Sequence, residues 1–138
     1  MGLLELLEYL IVKQLAGNPA VDMVYKHFIE FQSVSDIGRM YGVSKHSVRG
    51  YVTRVLEKSG GSRTKAMTLL KYVYPLVKEI RPVIVSDGDG LCICLLCGEK
   101  MMCNVNVAEF HVTRKHMDIV RMYVDDVLGK LRSRVKAH

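Results

Sequence analysis

The chain has 138 residues, 49% of them hydrophobic and 25% charged, with a formal net charge of +6 at pH 7. That length holds one domain, or two small ones sharing a core, and the composition excludes a disordered chain. The charge is uneven: residues 1–32 carry a net −2, 33–81 carry +7, 82–110 carry −3 and 111–138 carry +4. Two basic blocks separated by acidic ones suggest two faces meeting a polyanion. In chain order, residues 3–16 place Leu3, Leu6, Leu7, Leu10, Ile11 and Leu15 at helical spacing, and Ala16-Gly17 ends that helix. Glu5 and Glu8 interrupt this apolar stretch, which is too short to span a bilayer. No positive segment precedes it and no small-residue cleavage site follows, so it does not read as a signal peptide.

Asn18-Pro19 starts a second helix, with Asn as cap and Pro at the first helical position. It is expected to reach about Phe31, with Val21, Val24, Phe28 and Phe31 inward. A third helix covers about 34–41 and a fourth about 45–57, stopped by Gly60-Gly61. Ser62 or Thr64 caps a fifth, which must kink or restart at Pro75. After Pro82, "VIVS", "DGDG" and "LCIC" read as a β-hairpin, followed by a short extended piece over 100–103. Asn106 to Glu109 resembles a capping box opening a helix that runs to about Arg134. The expected fold is mainly α: a helical domain over 1–81 and a ββα unit with an extended C-terminal helix over 82–138.

Residues 34–53, "VSDIGRMYGVSKHSVRGYVT", carry the most specific pattern. Ile37, Val43, Val48 and Tyr51 supply the crossing of two short helices. Gly38 lets them approach, Gly42 supplies a left-handed turn residue, and Ser44 caps the second helix. The stretch resembles the helix-turn-helix of bacterial and archaeal transcription regulators and of resolvase-type recombinases. That resemblance implies that the helix over about 45–57 lies in the major groove of double-stranded DNA, with Ser44, Lys45, His46, Arg49, Gly50 and Thr53 facing it. Arg49 and Lys45 can reach guanine O6 and N7, His46 can donate to a base or phosphate, and Ser44 can bind a phosphate. Gly50 costs about 1 kcal/mol of helix propensity against Ala, which a close backbone approach to DNA would justify. Arg39, Arg54, Lys58, Arg63 and Lys65 are expected to flank the groove as phosphate contacts.

Cys94, Cys97, His111 and His116 follow C-x2-C-x13-H-x4-H, close to the spacing of a Cys2His2 zinc finger. One structural Zn2+ per chain is expected, with a β-knuckle presenting the thiolates and one helix the imidazoles. A separation of five residues sets the histidines about 140° apart around an ideal helix, so that helix should tighten or bulge between them. The spacer is one residue longer than usual, and Met101 or Met102 fills the place of an aromatic core residue. Cys92 and Cys97 form an alternative pair, but the tighter knuckle at Cys94 is preferred. Cys92 and Cys103 are expected to be core thiols, since an intracellular chain keeps its cysteines reduced or metal-bound. The start of the finger helix suits DNA poorly: Asn104 and Asn106 can contact bases, but Val105, Val107, Ala108 and Phe110 cannot, and Glu109 would repel phosphate.

Met117, Val120, Val124, Val127 and Leu131 recur as a heptad seam, which serves either intramolecular packing or a homodimer contact, and the leucine-dense helix over 3–15 is a second candidate for that contact. The combination resembles small helix-turn-helix and zinc-finger regulators of archaea and their viruses. It implies a cytoplasmic, site-specific DNA-binding transcription regulator, acting in the host cell if viral, and active as a dimer. A zinc-finger adaptor binding a protein partner such as transcription machinery is the alternative reading. An enzyme is not expected, because no Ser, Tyr or carboxylate cluster has a catalytic setting and two Cys with two His leave no open metal position.

Overall fold

The computed structural model describes residues 2–136. The fold is mainly helical with a small antiparallel sheet. Its elements are α1 Leu3–Leu15, α2 Ala20–Phe28, α3 Val34–Tyr41, α4 Lys45–Lys58, α5 Arg63–Lys78, β1 Ile84–Ser86, β2 Leu91–Cys94, β3 Lys100–Met102, α6 Val105–Lys115 and α7 Met117–Lys136. The strands lie in the order β1-β2-β3, with Val85 opposite Ile93 and Cys92 opposite Met101.

α1 is the central helix. Leu6, Leu7, Ile11 and Leu15 are wholly buried and Leu10 nearly so, each worth about 1.5–3 kcal/mol against exposure. Gln14 is buried among them because its Nε2 donates to the Ile80 carbonyl at 2.8 Å. At the end of α1, Val83 N–H donates to the Leu15 carbonyl at 2.9 Å, and Leu95 N–H to the Val83 carbonyl at 2.8 Å. These bonds stitch the sheet onto the helical body. One core runs across the expected boundary at Arg81-Pro82, from Leu6 and Val77 through Ile84 and Cys94 to Val112, Val120 and Val127.

The heptad seam of α7 lies inside that core. Val120, Val124 and Val127 are buried, with Met117 and Leu131 packed against them, and α7 contacts α1 and α5. The leucines of α1 and the valines of α7 are therefore buried against one another within a single chain.

Three local expectations need correction, and the two alternatives at Pro75 are narrowed to one. α2 ends at Phe28, and Phe31 turns outward, 74% exposed with φ 58°. Gln32 N–H closes that end on the Lys26 carbonyl. Of the kink and the restart expected at Pro75, the restart does not occur, and α5 runs through it. Pro75 and Lys71 both lie on its exposed side, so the carbonyl that loses its partner faces water. α6 is capped by Asn104, whose Oδ1 accepts from Asn106 and Val107 N–H, and not by Asn106. Finally, Cys92 and Cys103 form a disulfide, with Cα atoms 5.1 Å apart. Adjacent strands bring them within bridging range, a proximity that the compartment rule for cysteines does not consider.

Candidate metal centre and nucleic-acid interface

Two tight structures present the thiols and imidazoles. After β2 the chain turns back on itself: Gly98 N–H donates to the Cys94 carbonyl at 2.7 Å, and Cys94 N–H to the Glu99 carbonyl at 2.9 Å. Gly98 supplies the φ of 78° that this knuckle requires. Opposite it, His111 projects from α6, and His116 sits at the break between α6 and α7 with φ −130° and ψ 27°. The break takes the place of the expected bulge. His116 N–H still bonds the Val112 carbonyl, while its own carbonyl starts α7 by accepting from Ile119 and Val120. Leaving the helical path swings the second imidazole back toward the first, and the ring centroids lie 5.1 Å apart.

The ligand atoms of Cys94, Cys97, His111 and His116 all lie within 4.8 Å of one another. Cys94 Sγ is 3.5 Å from His116 Nε2, and Cys97 Sγ is 3.4 Å from His111 Nε2. Zinc bonds of about 2.3 Å to sulfur and 2.0–2.1 Å to nitrogen, at the tetrahedral angle, set sulfur and nitrogen about 3.6 Å apart. The donor set fits such an ion. Glu99, just beyond the knuckle, completes the arrangement. Its Oε2 accepts from His111 Nδ1 at 2.6 Å, which leaves Nε2 free to ligate. Lys115, with His111 behind it, holds the Glu99 carboxyl below its usual range. Burial pushes the Cys94 thiol up, against the pull of the Cys97 and Leu96 amides. A bound cation would reverse that push by favouring the thiolate.

The turn between α3 and α4 is built as its residues suggest. Ser33 Oγ caps α3 on Asp36 N–H, and Ser44 Oγ caps α4 on Ser47 N–H. Gly42 takes φ 68° at the end of α3. A Cβ on Gly38 would stand 2.8 Å from the Val43 carbonyl, so no larger residue fits where the helices cross. Ile37 and Val48 are buried there and Tyr51 is half-buried, but Val43 is 38% exposed and contributes its backbone more than its side chain.

The outward face of α4 gathers Lys45, His46, Arg49, Gly50 and Thr53, with Arg54 beside them, all exposed. Among the described residues, none of its basic side chains lies within 4.0 Å of a carboxylate. Gly50 has nothing within 4 Å of where a Cβ would be, so no neighbour in the chain requires a glycine there. The flanking cations are less uniform. Arg39 pairs with Asp36. Lys58 lies over the Tyr9 ring at 5.4 Å, and Arg63 stacks on Phe28 and meets His27 Nε2 at 3.2 Å. Lys65 lines a cleft with Gly2, Glu5 and Glu57. The second basic block is partly neutralised, Lys115 by Glu99 and Lys130 by Glu79 and Asp126.

Two acidic residues carry more of the site than their sequence context suggests. Glu99 follows the knuckle directly, and its place beside Cys97 and Gly98 is a local signal for such a role. Glu109 has no local signal: it ion-pairs with Lys13 and accepts from Asn18 Nδ2 at 2.7 Å, far away in the chain. No helix among the described residues is long and apolar enough to cross a membrane. No protein-family model, no curated protein and no solved structure matches the chain.

Proposed function

We propose that the protein is a sequence-specific, double-stranded DNA-binding regulator of transcription, with α4 in the major groove and a structural zinc ion in the C-terminal unit. The observation that carries this reading is the outward face of α4, where Lys45, His46, Arg49 and Thr53 stand free of carboxylate partners around an unrequired glycine. Lys and Arg side chains exposed on a helix, and a backbone open to close approach, suit a groove floor edged by phosphates. Cys94, Cys97, His111 and His116 would hold the zinc, which supplies a cross-link between knuckle and helix worth on the order of 10 kcal/mol to folding. No catalytic role is assigned to it, and the place of action is the cytoplasm, the host's if the chain is viral. Two copies on a palindromic site would have to meet through a surface other than the α1 leucines or the α7 seam.

The adaptor reading draws support from a different surface. Leu91 and Met102 are cross-strand neighbours on the outer face of the sheet, 40% and 68% exposed, and Phe110 on α6 is 63% exposed. Uncovered apolar side chains of this kind suit a protein partner. Selection of bound duplexes from a random pool separates the two readings: enrichment of one motif supports the regulator, and recovery of unenriched sequence refutes it.

A further inference from the structure

We propose that Glu109 transmits the state of the metal centre to α4, so that loss of the metal loosens the DNA-facing helix. The inference rests on the proposed zinc site and on the proposed DNA-facing role of α4, and it starts from a polar cluster where α1, α4 and α6 meet. Glu109 lies two residues before His111 on α6. One carboxylate oxygen pairs with Lys13 Nζ from α1, and the other accepts from Asn18 Nδ2 at 2.7 Å. Asn18, only 2% exposed, has its amide orientation set by Ala20 N–H, which donates to Oδ1 at 3.0 Å. Its two Nδ2 hydrogens then point at Glu109 and at the Tyr51 hydroxyl of α4, the latter 3.3 Å away. Lys13 Nζ sits 4.8 Å from the Tyr9 ring centroid and 5.2 Å from that of Tyr51.

Every member depends on the carboxylate. The Lys13 side chain is 12% exposed, and an ammonium so withdrawn from water needs its counter-charge. Asn18 would lose the acceptor for one donor, and a buried unpaired donor is costly. Tyr51 is held from α1 and from the α1–α2 turn by these same two residues. Glu109 reaches them only while α6 stays docked. Ala108 and Val112 hold α6 in the core, and Glu99 ties it to the knuckle through His111 and Lys115. A bound metal would add the His111 and His116 ligands to those ties. Releasing the metal would loosen α6 against the body, weaken the hold of the carboxylate on Lys13 and Asn18, and leave Tyr51 beside a less balanced cation.

Amide hydrogen exchange reads this without any DNA present. The comparison uses the full chain, as wild type and Glu109→Gln, zinc-loaded and chelated, with zinc content measured in each. With zinc still bound, Glu109→Gln should speed exchange in α4 by about tenfold, the loss expected for a charged hydrogen-bond partner. Chelating the wild type should produce the same change in α4, and chelating the variant should add nothing further there. The change in α4 should exceed that in α5, which shares the core with α7. A rise of equal size in both would mark general unfolding and overturn the relay. If Glu109→Gln fails to fold, Tyr51→Phe removes only the hydroxyl at the α4 end and should blunt the response of α4 to chelation. Exchange in α4 that ignores chelation, or a chelation effect equally large in both proteins, overturns the relay. A wild type that takes up no zinc overturns it together with the metal reading, and the stoichiometry identifies that cause. Titration with a duplex is scored separately: absence of binding in the loaded wild type refutes the DNA reading while the exchange result stands.

Discussion

α4 and α6 both begin at a side-chain cap and both turn a face to solvent, yet the two faces differ in kind. The α4 face is basic and unpaired, with a glycine at its middle. The α6 face shows Val105, Val107 and Phe110 to solvent, its Lys115 is tied to Glu99, and its Glu109 is turned into the body. A finger-like ligand spacing by itself would direct attention to α6 as the DNA reader. The function proposed above gives that role to α4 and keeps α6 as a scaffold, since a polyanion is met by free cations and not by paired ones.

The contrast can be broken most forcefully at the scaffold. Cys97→Ser should abolish stoichiometric zinc binding and remove stabilisation on the order of 10 kcal/mol from the C-terminal unit, as elemental analysis and circular dichroism would record; unchanged metal content would refute the ligand set. Val124→Glu buries a carboxylate in the core that α7 shares with α1 and α5. It should cost about 3 kcal/mol or more in a denaturant titration, whereas a variant of full stability would mean that this seam is not covered as described. Gly50→Ala acts on the α4 face with opposite signs. Folding stability should rise by about 0.5–1 kcal/mol from helix propensity, while affinity for the selected duplex falls, and a gain in both would remove the reason for a glycine. The smallest effect separates two cations on neighbouring turns. Arg54→Ala should lower the salt slope of DNA binding by about one, and Lys58→Ala, whose ammonium lies over Tyr9, should leave the slope unchanged.

Much of this was legible where the controlling interactions are local. Ser33, Gly42 and Ser44 act within a turn of the chain, so the ends of α3 and α4 follow from their neighbours. The Cys94–Cys97 and His111–His116 spacings are local too, and the helix break at His116 answers the 140° problem that the spacing poses. What could not be read depends on contacts between distant segments. Phe31 looks like the next apolar step of α2, yet the chain must turn there to begin α3. The α7 heptads suit another chain as well as they suit α1, and only the fold decides between them. Cys92 and Cys103 differ in nothing but strand register from thiols in a core, and Glu109 meets Lys13 and Asn18 across some ninety positions of sequence.

The central claim is that α4 reads DNA bases, and Arg49 is its most direct probe. Wild type and Arg49→Ala, both with zinc content verified, should be titrated against the selected duplex and against variants of it at each base pair. The expected result is a loss of about 1–3 kcal/mol on the selected duplex, with relaxed preference confined to one base pair, if a guanine is read bidentately. An Arg49→Ala protein that binds every duplex as the wild type does would contradict the assignment of α4 as the groove-facing helix.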